Sequence, residues 1–207
     1  MIVVSGHSTY VSLPLRFDMT GTSIREITLY TPNKKYTGTI DLQNEGMRTI
    51  DLLNSSSIYW KDPNEKSFND SILLFDVVIE VQGNKKLTRF HKLQLRLSDI
   101  IFFSDNLNIT GDLTEIKRAQ TLSQKTSEKK SSVKIITRMR GDAFYIVAGV
   151  FYGLFKNKSQ QRFFPLTNPK VREILRTGSE WQSRSIDVGN YFIGLSTNQI
   201  EACSMGE

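Results

Sequence analysis

Apolar residues fall in short runs along this chain. They are rich in β-branched and aromatic side chains, which predicts strands rather than helices. Residues 26–30 (Glu-Ile-Thr-Leu-Tyr) and 133–137 (Val-Lys-Ile-Ile-Thr) have this character. Residues 77–81 and 87–97 flank Gln82-Gly83-Asn84-Lys85, and two β-type runs around a Gly-Asn turn predict a hairpin. Residues 143–155 are too rich in Val, Phe and Tyr for a surface helix, so Gly149 and Gly153 read as bends in a strand. Two segments are expected to be helical. One is 113–122. The other is 169–178, where Asn168 suits the cap, Pro169 the first turn and Gly178 the end.

The order of these features recurs. Gly38 is followed by Arg48, Leu52 and Asn54, and Gly149 by Arg162, Leu166 and Asn168, so the phrase Arg-x-x-x-Leu-x-Asn occurs twice. A β-type run precedes each glycine, and residues 98–104 and 189–196 close the two sets. Recurrence of this kind predicts two similar units. The expected fold is mainly β, with two related small β-barrel-like units in tandem and one or two short helices. The units would span 1–110 and 133–207, joined by a basic linker over 111–132 that is part helical. Within the linker, residues 123–132 contain no apolar side chain, so they are expected to stay exposed. Gly38 should superpose on Gly149, and Asn54 on Asn168.

Within residues 25–105, Gly38, Ile40 and Met47, followed by Leu95-Arg96, Ile100 and Phe103, form a pattern that resembles the Sm-like small barrel. The first three stand where that family has its glycine, aliphatic residue and methionine, and the others resemble its late motif. A strongly bent strand needs a glycine where another backbone crosses it. The resemblance implies architecture only. Asn44, Arg48 and Leu97 replace the residues that form the family's uridine pocket, so RNA binding does not follow from it.

Composition narrows the function classes. With 39% hydrophobic and 23% charged residues the chain is expected to be globular. No apolar run approaches the roughly 18–20 residues of a membrane-crossing helix, and residues 1–7 do not read as a secretory leader. With Cys203 as the sole cysteine no internal disulfide is possible. A cytoplasmic location without membrane contact is expected. The net charge is +6: residues 1–105 are balanced, residues 106–134 carry six basic against three acidic groups, and residues 135–207 nine against six. Basic segments attract polyanions at low salt.

Little in the sequence can perform catalysis. His91 lies in an alternating strand and reads as a surface or interface residue, His7 sits in a terminal segment with Ser5 and Ser8, Cys203 lies in a polar tail with no histidine nearby, and the zinc and P-loop spacings are missing. Asp41, Asp51 and Asp62 fall on separate elements and read as solvated charges. No enzyme, metal or cofactor is therefore expected. Arg48 and Arg162 read as structural residues paired with carboxylates such as Asp51, while Asn54 and Asn168 suit turns. The alternative role for the arginines is gripping an anion, since a guanidinium matches phosphate. Basic and aromatic residues interleave at 156–164 and in Tyr59-Trp60-Lys61; such aromatics fill a core or form a stacking platform for nucleic acid. Candidate anion or nucleic-acid contacts are Arg48, Arg162, Lys156, Lys158, Lys125, Lys129 and Lys130. The expected function is non-enzymatic binding or regulation through protein contacts, with a protein partner or a homo-oligomer. Single-stranded nucleic-acid binding through the linker and second unit, and sensing of a small anionic ligand or nucleotide, are the alternatives.

Overall fold

The computed structural model describes residues 23–42, 48–55, 70–81, 84–105, 130–152, 161–189 and 192–206. They form one open antiparallel sheet of eleven strands. In the first half, β1 (Ser23–Thr31) and β2 (Lys34–Leu42) make a hairpin. Its turn uses Asn33 at φ 63°, a conformation asparagine tolerates better than most residues. A one-and-a-half-turn helix, α1 (Thr49–Asn54), precedes the hairpin β3 (Ser71–Val81) and β4 (Asn84–Arg96). A 3-10 turn, Leu97–Asp99, then leads to β5 (Phe102–Asp105), which pairs with β1.

The second half starts with β6 (Lys130–Thr137) and β7 (Ala143–Tyr152). The long β8 (Phe163–Thr177) turns at Gly178, φ 64°, into β9 (Glu180–Ile186). β10 (Phe192–Ser196) pairs with the start of β8, and a 3-10 turn, Thr197–Gln199, leads to β11 (Ile200–Gly206) on β6. The full order is β11-β6-β7-β8-β10-β5-β1-β2-β3-β4, with β9 also on β8.

Three expectations meet the described residues here. The hairpin at 77–97 and the strand beginning at Ala143 form as the alternation indicates. Residues 169–178 do not form a helix: all but Gly178 lie in β8. The cap signals are present, but Asn168 stands at φ 48° inside a strand. There the β7–β8 register shifts between Ala148 and Val150, and the missing N–H of Pro169 is tolerated at such a bulge. The first three residues of β6 fall within the expected linker; the rest of 123–132 and the helix expected at 113–122 lie outside the described residues.

The two glycines occupy matching places. Ile27 pairs with Gly38 on β2, and Val133 pairs with Gly149 on β7. A β-carbon on Gly38 would lie 2.9 Å from the Phe75 carbonyl oxygen, and one on Gly149 would lie 3.1 Å from that of Thr167. Both contacted residues precede a left-handed residue, Asp76 at φ 49° and Asn168 at φ 48°, and both sites are register shifts. The rest of the repeated phrase does not match. Arg48, Leu52 and Asn54 run through α1, whereas Arg162 precedes β8 and Leu166 and Asn168 lie within it. By register, Asn168 corresponds to Asp76, Leu166 to Leu74 and Arg162 to Asp70. The physical reason is the spacing: residues four apart share a face in a helix and also in a strand. Leu52 and Leu166 are buried either way.

The sheet packs two apolar clusters, and each borrows from the other half. Phe163 joins Ile27, Leu29, Leu53, Leu74 and Phe103, while Tyr30, Ile101 and Phe102 join Tyr145, Val147, Leu166 and Ile193. Phe102 meets Tyr145 edge to face at 5.2 Å, and Phe103 meets Phe163 likewise at 5.3 Å. Such aromatic contacts add to area burial.

Candidate functional site

The arginines expected to be structural or ligand-facing are both held by carboxylates. Arg48 stands at the N-cap of α1 and grips Asp51 one turn on, with Nε–Oδ2 and Nη2–Oδ1 distances of 2.6 Å. Its side chain is 52% exposed. Arg162 reaches back into the first half, Nη2 lying 2.9 Å from Asp70 Oδ1 and Nη1 donating to the Ser55 carbonyl at 3.3 Å. Beside it, Asn54 exchanges both amide bonds with Phe163: Phe163 N–H donates to Oδ1 at 2.8 Å, and Nδ2 donates to the carbonyl at 3.1 Å. Asn54 therefore does not close its own turn but holds the first residue of β8. The C-terminal end of α1 is a bracket between the halves.

Two further polar groups are buried. Arg25 meets Asp105 at 3.5 Å, and Thr49 donates a hydrogen bond to the same carboxylate, seating the start of α1 on the sheet. Glu173, fully buried on β8, accepts from the Tyr145 hydroxyl at 3.0 Å and pairs with Arg184 of β9. Both arrangements pair a buried charge, as burial demands. Tyr30 stacks on Phe102 at 4.3 Å, and its hydroxyl donates to the Asp187 carbonyl at 3.4 Å. Burial, with the charges of Glu80 and Asp187, pushes its pKa up to about 12. Partial desolvation raises the Cys203 thiol above its ordinary value, although the residue as a whole is exposed.

Of the basic candidates, Lys125, Lys129, Lys156 and Lys158 lie outside the described residues, and Lys130 opens β6. Phe163 and Phe164 are buried, so these two aromatics serve the core rather than a platform; Tyr59, Trp60 and Lys61 lie outside the described residues. The structure instead gathers a basic face that the sequence reading missed. On the outer side of β6 to β9, Lys134, Lys170, Arg172 and Arg176 are exposed. Among them, Phe144 packs edge to face on Trp181, which is 52% exposed. Register aligns them: Arg176 opposes Trp181, Ile174 opposes Phe144 and Ser183, and Lys170 opposes Ala148. The signal was the alternation Lys170-x-Arg172-x-Ile174-x-Arg176, hidden by taking the segment as a helix.

The ends of the sheet are a second candidate surface. Among the described residues neither β4 nor β11 has an outer neighbour. Residues 88–92 of β4 and 201–206 of β11 are exposed, including Phe90 and Met205. Unpaired N–H and C=O groups along an edge are a template for another strand. His91 on β4 meets Asp76 at 3.0 Å in full view of solvent, a surface pairing.

Among the described residues no three His, Cys, Asp or Glu side chains converge as metal ligands, and no helix is long and apolar enough to cross a membrane. In comparisons with protein-family models, curated proteins and solved structures, nothing matches the chain.

Proposed function

We propose that this chain is a non-enzymatic binding or regulatory protein that acts through protein contacts made at strand edges. On this reading its two halves are related units of Sm-like barrel architecture laid side by side in one open sheet, without that family's uridine pocket. The observation that carries this reading is the seam between the halves, where β10 adds to β5 by main-chain pairing. Edge addition supplies affinity through backbone hydrogen bonds and specificity through alternate side chains. The matched glycines and bulges support the relatedness of the halves. The carboxylate pairing of Arg48 and Arg162 favours a structural role for both over a grip on a ligand.

The basic outer face favours a second reading, single-stranded nucleic-acid binding. Cations beside an exposed Trp181 match the way such proteins stack bases and track a backbone. One preparation separates the two. The purified protein is read by absorbance ratio and mass spectrometry, then titrated with labelled single-stranded RNA at low and high salt. Protein that purifies free of nucleic acid and leaves the RNA anisotropy unchanged at low salt supports contact with proteins. A shift that falls with salt and is lost in Arg172→Glu/Arg176→Glu supports the second reading.

A further inference from the structure

An apolar band crosses the outer face of the second half. Ile136 of β6 opposes Ile146 of β7, Phe144 of β7 opposes Ile174 of β8, and Trp181 of β9 packs edge to face on Phe144. Ile136 and Trp181 are exposed, and the other three are half-buried. Single exposed apolar residues are ordinary, but a joined set rimmed by polar groups marks an interaction site. The rim here is cationic on both flanks. Lys134 and Lys170, in line through Ala148, border the band on one side and Arg176 on the other, with Arg172 between. Glu173 and Glu180, the acidic residues of these four strands, alternate to the opposite face.

The first half shows what this face lacks. Lys35 stands three residues before Gly38, and Glu80 four residues after the left-handed Asp76; they oppose each other and pair at 3.3 Å. Ile146 and Arg172 stand at the same offsets from Gly149 and Asn168, and they also oppose each other. The position of the anion thus holds a cation, and the position of the cation holds an apolar side chain. Arg172 donates to the Ser183 hydroxyl at 2.8 Å, and Arg176 to the Gly178 carbonyl at 3.2 Å. Both acceptors are neutral, so these contacts orient the guanidinium groups without cancelling their charge.

We infer that this face docks an acidic amphipathic helix of a partner protein, whose apolar stripe covers the band and whose Asp and Glu side chains meet the cations on either flank. The inference rests on the reading that the chain acts through protein contacts, and it adds a sheet face to the strand edges. The dimensions suit one helix. Lys170 and Arg176 lie ~20 Å apart along β8 at about 3.4 Å per residue. A helix about 10–12 Å across leaves both within reach of its flanks. The width from β6 to β9 is ~14 Å, the length of about ten helical residues. A helix laid on the apolar face of a sheet is a common layer arrangement. Cations on both flanks set the sign of the partner, since like charges would repel it. The aliphatic centre separates this ligand from single-stranded nucleic acid, whose bases stack on aromatic rings and gain little from isoleucine. The twist of the sheet, roughly 20–25° per strand, turns the band out of the plane of a bilayer.

The test uses the full chain and a fluorescein-labelled peptide of about 18 residues, long enough to be helical. Its leucines are spaced i, i+3, i+4, i+7, with glutamates on both flanks of the stripe. Anisotropy is expected to show binding that weakens with salt and is at least about tenfold weaker in Arg172→Glu/Arg176→Glu. That variant should instead prefer the same peptide with lysines in place of the glutamates. A peptide of identical composition with its leucines spread round the helix should bind the native chain several-fold more weakly, and Trp181→Ala should weaken binding of the original peptide. No binding of the acidic peptide, or equal binding of the two leucine arrangements, would overturn the inference. Should the charge-reversed variant fail to fold, amide shifts of the native chain on adding the peptide supply the second measurement. Shifts centred on β7, β8 and β9 support the inference. Shifts confined to β4 and β11 overturn it and leave the strand-edge reading standing. Phosphatidylserine vesicles bound more tightly than the peptide at equal charge also sink this inference alone. Single-stranded RNA bound more tightly at this face sinks the broader reading as well.

Discussion

Gly38, Tyr30 and the two arginines each make a single-residue claim that can be measured. Replacing Gly38 with Ala sets a β-carbon 2.9 Å from the Phe75 carbonyl oxygen, a backbone atom that already accepts from the Thr39 hydroxyl at 3.3 Å. Overpacking of this kind costs about 1–3 kcal/mol. Thermal melts should show Gly38→Ala less stable than Gly149→Ala, whose nearest contact is 3.1 Å. Tyr30 has a raised folded pKa, about 12 against 10.0. Its contribution is therefore complete below pH ~10, where the tyrosine is neutral in both states, and is lost as pH rises through ~12. That contribution is about 3 kcal/mol. Urea unfolding should show this loss over that window, and Tyr30→Phe should remove the dependence. Arg48→Ala deletes an exposed pair with Asp51 and should change stability by less than about 1 kcal/mol. Arg162→Ala removes a half-buried link between the halves and should cost about 1–3 kcal/mol. Equal melting points for the native chain and Arg162→Ala would rule out the structural role.

At the scale of elements, β8 and α1 explain where sequence patterns mislead. In β8, Val171, Ile174 and Leu175 follow helical spacing, and Asn168-Pro169 with Gly178 supply helix start and stop signals. Yet Pro169, Val171 and Glu173 are buried, with Lys170 and Arg172 exposed between them, which is the period of a strand. Tertiary pairing on both sides decides the conflict, β7 on one edge and β9 and β10 on the other. α1 carries no side-chain cap and is too short to be stable alone. It persists because Thr49, Ile50, Leu52 and Leu53 are buried. Asn54 then fastens its end to Phe163 with two hydrogen bonds. Asn54→Ala leaves the Phe163 amide without this acceptor, a loss of about 1–3 kcal/mol, measurable by chemical denaturation.

Across the whole molecule the halves are joined by more than a linker. β10 lies between β8 and β5, Phe163 sits in the cluster of the first half, and Tyr30 and Phe102 sit in that of the second. Shared cores unfold together. Calorimetry should give one transition rather than two, and Gly194→Ala, which pushes against the Phe103 ring at the seam, should lower it without splitting it. Two resolved transitions would show the halves to be thermodynamically independent.

Strand content, the β3–β4 hairpin and the correspondence of Gly38 with Gly149 were legible in the sequence, because alternation, turn chemistry and the need for a missing β-carbon act locally. The pairing of Arg48 with Asp51 was legible for the same reason, at a separation of one helical turn. What only the tertiary structure decided involves partners distant along the chain. Arg162 finds Asp70 rather than a neighbour, and Asn168 bends a strand rather than capping a helix. The basic face around Trp181 exists because four strands lie side by side in one register. A spacing of four residues satisfies helix and strand alike, so hydrogen-bond partners far away in sequence, not local pattern, settle which one forms.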